Sequence, residues 1–206
     1  GLIMNSSSFT GEMSAHTYSG GLVGLMYENP QNVINNSYFN GVFNIIRRTE
    51  PSDEAGFSNG GLVGLLYGGT INNSYSAGSI TYTNGAGYTG GLAGLTYGGL
   101  FNNVFSASTI SGTSGTYTGA GFGAFYSTGG DTSAGTNVHY DSHLANFNCA
   151  GFTQGNMDCS AQNAGNTAPS YFKGNSTRPV FSTWDFSTIW TTRLNGYPSL
   201  RSNTDA

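Results

Sequence analysis

GGLVGLMY at residues 20–27, GGLVGLLY at 60–67 and GGLAGLTY at 90–97 are three near-copies of one stretch. A drifted fourth copy, GAGFGAFY, occupies 119–126, and the first three are followed by the pairs Asn35-Asn36, Asn72-Asn73 and Asn102-Asn103. Self-similarity at a period of about 30 residues predicts a quasi-one-dimensional stack, in which each copy buries its apolar face against the next.

The copy spanning 60–89, GGLVGLLYGGTINNSYSAGSITYTNGAGYT, shows how one unit is built. Short strands are expected at 62–67, 71–75 and 79–83, with turns at 68–69 and 84–87. Glycine recurs too often for a helix, and no 3.6-residue periodicity survives. Alternation puts Val63, Leu65 and Tyr67 on one face of the first strand and Leu62, Gly64 and Leu66 on the other. The first set varies less between copies, so it is expected to face the interior. The glycine at 24, 64 and 94 marks a close approach of another backbone. Stacking equivalent positions about 4.8 Å apart would align the Asn pairs into amide ladders, which gives them a structural task; an Asn row that binds sugar is the alternative.

Composition narrows the function classes. Only 16 of 206 residues are Asp, Glu, Lys or Arg, while 33 are glycine, so neutral hydroxyls and amides must do the solvating. Six basic residues and a net charge of −4 are a poor footprint for nucleic acid or an anionic membrane, and no apolar run reaches the roughly 18 residues of a membrane span. Cys149 and Cys159 flank a loop rich in Gly, Asn and Gln, which reads as a local disulfide in an extracellular protein; two free buried thiols are the other reading. IMNSSSF at 3–9 resembles the second half of a repeat, so the chain is expected to be cut from a longer array. The first copy carries an insertion at 45–54 that holds Arg47, Arg48, Asp53 and Glu54. These are candidate ligand contacts, because insertions in repeat folds gather on one face; a solvated loop is the plainer reading.

GGLVG followed by NNSY resembles the GLUG repeat of bacterial surface adhesins and immunoglobulin A peptidases, over residues 1 to about 130. Trp184-Asp185-Phe186-Ser187-Thr188-Ile189-Trp190 with Gly196-Tyr197-Pro198-Ser199-Leu200 resembles the closing element that follows such arrays, and His139-Tyr140-Asp141-Ser142 the segment before it. The resemblance implies an all-β, solenoid-like stack over 1–130 and a C-terminal capping or tip module over 131–206. It also implies a secreted or surface-displayed bacterial protein without catalytic function in this region. The disulfide-spaced cysteines depart from the repeat pattern. A cap would shield the open edge of the stack.

The search for chemistry yields little. His139, Asp141 and His143 alternate, so on one strand they would share a face and are weak candidate metal ligands; a solvent-facing strand competes. No HExxH, GxSxG or P-loop lysine pattern occurs. Asp131, Asp141, Asp158 and Asp185 are the carboxylates from which a polysaccharide-acting site would have to be drawn. Most of the aromatics at 171–197 are expected in a core, with Tyr171 a candidate to stack on a sugar ring.

The leading expectation is therefore a non-catalytic adhesin or fibre-tip fragment that recognises a host or prey cell-surface glycan or protein, needs no cofactor and does not enter the membrane. A homotrimeric tip is a variant of it. A structural stalk is the alternative, and an ice-binding protein or a polysaccharide-acting enzyme follows behind.

Overall fold

The computed structural model describes residues 1–46, 57–83, 87–112, 117–128, 131–162 and 171–203. They form an all-β protein dominated by a curled parallel sheet, with two single-turn 3-10 segments at Pro179–Phe181 and Arg201–Asn203. Among the described residues no helix is long and apolar enough to cross a membrane.

The repeat dictates the pairing. Val63–Asn72 lies parallel to Ala93–Ser106 with Val63 opposite Ala93, Tyr67 opposite Tyr97, Ile71 opposite Phe101 and Asn72 opposite Asn102. Val23–Tyr27 and Val33–Asn35 pair with successive parts of Val63–Asn72, because the first copy is broken by its Glu28-Asn29-Pro30-Gln31 insertion. Two smaller parallel sheets repeat the arrangement. One carries Glu12–Ala15, Val42–Ile46, Ser79–Thr83 and Thr109–Gly112; the other carries Ser19–Gly20, Ser58–Gly60, Tyr88–Gly90 and Tyr117–Gly119.

The Asn-Asn corner has a local cause. Asn36, Asn73 and Asn103 take φ of 50°, 46° and 53°, a left-handed conformation that Asn tolerates better than most residues. The first Asn of each pair stays in its strand and forms the expected ladder: Asn102 Nδ2 donates to Asn72 Oδ1 at 2.9 Å, and Asn72 Nδ2 donates to Asn35 Oδ1 at 2.8 Å. In the first two copies the following serine closes the corner, with Ser37 Oγ donating to the Asn35 carbonyl and Ser74 Oγ to the Asn72 carbonyl.

The interior takes only part of the face expected from the sequence and takes the other face as well. Leu62, Leu66, Ile71 and Phe101 are fully buried, as are Met26, Thr96 and Phe125 at the positions equivalent to Leu66. Of the expected inward set Val63 and Ala93 are fully enclosed and Leu95 is buried, while Leu25 is 45% and Tyr27 57% exposed. The invariant tyrosines face outward and stack on one another instead, with ring centroids 5.3 Å apart for Tyr27 and Tyr67, 5.5 Å for Tyr67 and Tyr97 and 4.6 Å for Tyr97 and Tyr126. Thr96 is accommodated inside because its hydroxyl meets Ser133 Oγ at 3.3 Å. The repeated glycine behaves as expected: a Cβ on Gly94 would lie 2.3 Å from the Asn59 nitrogen, and one on Gly123 2.5 Å from the Thr89 nitrogen. In both places the third sheet crosses too closely for any side chain.

Parallel pairing runs past the boundary expected at residue 130. Ala134–Asp141 pairs with Ala93–Ser106, Ala150–Gln154 with Phe122–Thr128, and Cys159–Gln162 with Ala134–Asp141. Cys149 bonds to Cys159 across this last layer, and its side chain joins the core beside Phe147 and Met157. The disulfide loop thus covers the end of the core, where no further copy supplies leucine.

Residues 171–203 do not sit on that end. They run lengthwise along one flank, from Pro179, whose carbonyl accepts from Asn137 Nδ2 at 2.7 Å, to Asn203, whose amide donates to Ser8 Oγ at 2.7 Å. Between these points Trp184 Nε1 donates to the Asn103 carbonyl, and Thr183 Oγ1 to Asn73 Oδ1. A second core joins the two parts, in which Tyr38, Tyr75 and Phe105 meet Phe172, Val180, Phe181, Trp184, Trp190 and Leu200. Phe172 continues the aromatic column: the steps from Tyr38 to Tyr75, Phe105 and Phe172 are 5.0, 4.7 and 4.3 Å, with near-parallel rings.

Candidate functional site

The flank strands Ser8–Phe9, Tyr38–Phe39 and Tyr75–Ser76 lie side by side, so their outward side chains form a column. Trp190–Arg193 and Gly196–Leu200 form an antiparallel hairpin across that column. Where hairpin and flank diverge they leave a groove of about 630 Å³, walled by Tyr38, Tyr75 and Tyr197 and rimmed by Lys173, Arg193 and Asn203. A second groove of about 650 Å³ shares Thr10, Asn40, Lys173 and Tyr197 with the first and continues past Gly41, Gly78 and Ala107. Those small residues fall at one corner of successive copies, so the combined trough follows the stacking direction.

The first groove has polar walls of one sign. Lys173 Nζ stands 4.8 Å above the Tyr197 ring, a cation–π arrangement that fixes the ammonium at the junction of the two troughs. Arg193 Nε donates to Ser199 Oγ at 2.9 Å, which anchors one edge of the guanidinium. Among the described residues no Asp or Glu lines the groove. Burial raises the pKa of the Tyr197 hydroxyl, and the charge of Asp141 adds to the effect, so the phenol stays a neutral donor. Tyr75 is raised in the same way by burial, and its hydroxyl donates to the Pro198 carbonyl at 2.6 Å. Beyond the junction, Glu12 lines the second trough and accepts from Asn44 Nδ2 at 2.9 Å.

The residues singled out from the sequence fare unevenly. Arg47, Arg48, Asp53 and Glu54 lie outside the described residues. The weak candidate metal set His139, Asp141 and His143 is not brought together: the strand ends at Asp141, whose Oδ1 accepts from the His143 backbone at 3.0 Å, and the chain turns there. His143 is exposed, whereas His139 and Asp141 are buried. Both ring nitrogens of His139 are occupied, Nε2 by Asn137 Oδ1 at 2.7 Å and Nδ1 by Gln162 Nε2 at 3.0 Å. Among the described residues no cluster of three His, Cys, Asp or Glu side chains could hold a metal ion.

Tyr171 is half-buried, packed edge-on against Phe172 with the Arg178 guanidinium 4.8 Å over its ring, so that face is already covered. Cys149 and Cys159 form the expected disulfide. Asp185 is a turn carboxylate: hydroxyl and backbone bonds from Ser187 and Thr188 hold its pKa well below the usual range. Those bonds commit it to structure rather than to proton transfer.

Lys173, Arg193 and Tyr197 were missed as a site. One signal was present, since four of the chain's six cations fall between residues 173 and 201. Compared with known protein families, with curated proteins and with solved structures, the chain matches none.

Proposed function

We propose that this chain is a β-solenoid segment of a GLUG-type bacterial surface adhesin, displayed outside the cell, which recognises a host or prey cell-surface glycan or protein without catalysis. The repeat-derived layers act as the scaffold, and the chain after residue 130 supplies one wall of the recognition site. The observation that carries this reading is the trough between flank and hairpin. It combines an aromatic wall with amide and hydroxyl groups from Asn40, Asn195, Ser202 and Asn203, the mixture that suits a sugar's apolar face and its hydroxyls. A covalently closed loop at Cys149 and Cys159 fits an oxidising, extracellular setting. The commitment of Asp185 to turn hydrogen bonds and the burial of Asp141 favour binding over hydrolysis.

A glycan-array screen of the chain, with light scattering on the same sample, tests the reading. Saturable binding to a restricted set of glycans is expected. Silence across the array, together with no binding to cell-surface protein extracts, would leave the structural stalk, and the scattering mass separates a monomer from a trimeric tip.

A further inference from the structure

The charge on the groove points further than the glycan reading on which this inference rests. The protein carries ten acidic and six basic side chains, yet among the described residues the first groove is lined by two cations and no carboxylate. Two cations that share one groove favour a ligand that brings the counter-charge. We infer that the trough binds an extended acidic oligosaccharide, whose anionic substituent sits between Lys173 and Arg193 while its chain runs along the shared corner of the repeats.

Geometry supports each part. Lys173 is held over the Tyr197 ring rather than spread into solvent, so its ammonium is placed before a ligand arrives. Arg193, which lines the same groove, is anchored through Nε, and a guanidinium suits a carboxylate or sulfate group. The floor beyond the junction stays low because Gly41 and Gly78 admit no side chain: a Cβ on either would lie 2.3 Å from the carbonyl oxygen of the glycine one copy earlier, Gly11 and Gly41 respectively. That leaves an unobstructed path parallel to the stack, matched to a linear ligand more than to a single sugar. Glu12 lies along the same path in the second trough, so the anionic groups of the ligand belong at the Lys173 end.

Isothermal titration of the full chain with three oligosaccharides of equal length provides the test: one bearing glucuronate, one sulfated and one neutral. At least one anionic ligand is expected to bind roughly tenfold or more tightly than the neutral one, with the advantage shrinking as salt is raised. Which of the two binds identifies carboxylate or sulfate. K173Q and R193Q are each expected to lose roughly tenfold toward that ligand, while K173R retains most of the affinity. Circular dichroism melts check that the variants remain folded. Equal binding of the neutral ligand, or anionic binding indifferent to both Gln variants, overturns the acidic-sugar inference and leaves glycan recognition standing. Failure of all three to bind also overturns it; only if the array is silent too does the broader reading fall with it.

Discussion

Tyr75 donates its phenolic hydrogen to the carbonyl of Pro198, 2.6 Å away and 123 residues later in the chain. The tyrosine is 1% exposed, so this bond joins the repeat stack to the C-terminal region in a dry place. Tyr75→Phe keeps the ring column and removes only the donor. It is expected to lower stability by about 1–3 kcal/mol, the cost of an orphaned buried carbonyl, measurable as a drop in the urea midpoint. Stack and flank should still melt in one transition, as two parts sharing a core do.

Asn103 carries two separable tasks, a left-handed backbone with φ of 53° and an amide whose Oδ1 accepts from Asn137 Nδ2 at 2.7 Å. Asn103→Gly abolishes only the second, and a loss of about 0.5–1.5 kcal/mol is expected. Asn103→Ala abolishes both and should cost about 1–2 kcal/mol more, because a Cβ without local hydrogen bonding disfavours that conformation. Equal midpoints for the two variants would show that the corner backbone carries no strain.

Reduction of Cys149–Cys159, or the double Ser variant, removes a cross-link between residues ten apart in the outermost layer. Roughly 2–4 kcal/mol of stability is expected to be lost. Hydrogen exchange should localise the loss, with amides of Ala150–Gln154 and Cys159–Gln162 exchanging first and those of Val63–Asn72 unchanged.

His139 supplies a pH dependence of known sign. Burial lowers its pKa below 6.5, partly opposed by the charge of Asp158, and its partners fit the neutral ring with the proton on Nε2. The unfolded chain therefore takes up the proton first. The stabilisation is complete above about pH 6.5 and is lost as pH falls through the lowered folded value. Urea midpoints measured from pH 8 down to 5 should fall more steeply for the parent than for His139→Gln.

Much of the stack was legible because backbone constraints repeat with the sequence. Gly94 and Gly123 are glycine because a crossing strand leaves no room, and Asn72 and Asn102 bond to each other because stacking aligns them. The inward face was misread because constancy between copies was equated with burial. Tyr67 and Tyr97 are constant since each is the other's packing partner outside the core, while Thr96 varies yet is buried through its bond to Ser133. The flank docking of residues 171–203 was not legible: WDFSTIW announces an aromatic cluster, but nothing local says that Trp184 meets Asn103 rather than closing the end. The groove was hidden for the same reason, since Lys173 and Arg193 come to line one groove only once the hairpin lies across Tyr38 and Tyr75.

The lengthwise strap also fixes the number of layers beneath it. Repeat proteins usually gain and lose units freely, because each unit touches only its neighbours. Here Asn137, Asn103, Asn73, Tyr38 and Ser8, on successive layers, each meet a particular residue of one continuous segment. Duplicating or deleting a single copy would shift every later rung by one step and leave these contacts out of phase. The segment thus works as a ruler for the layers it spans, whose number cannot change unless the ruler is recut to match.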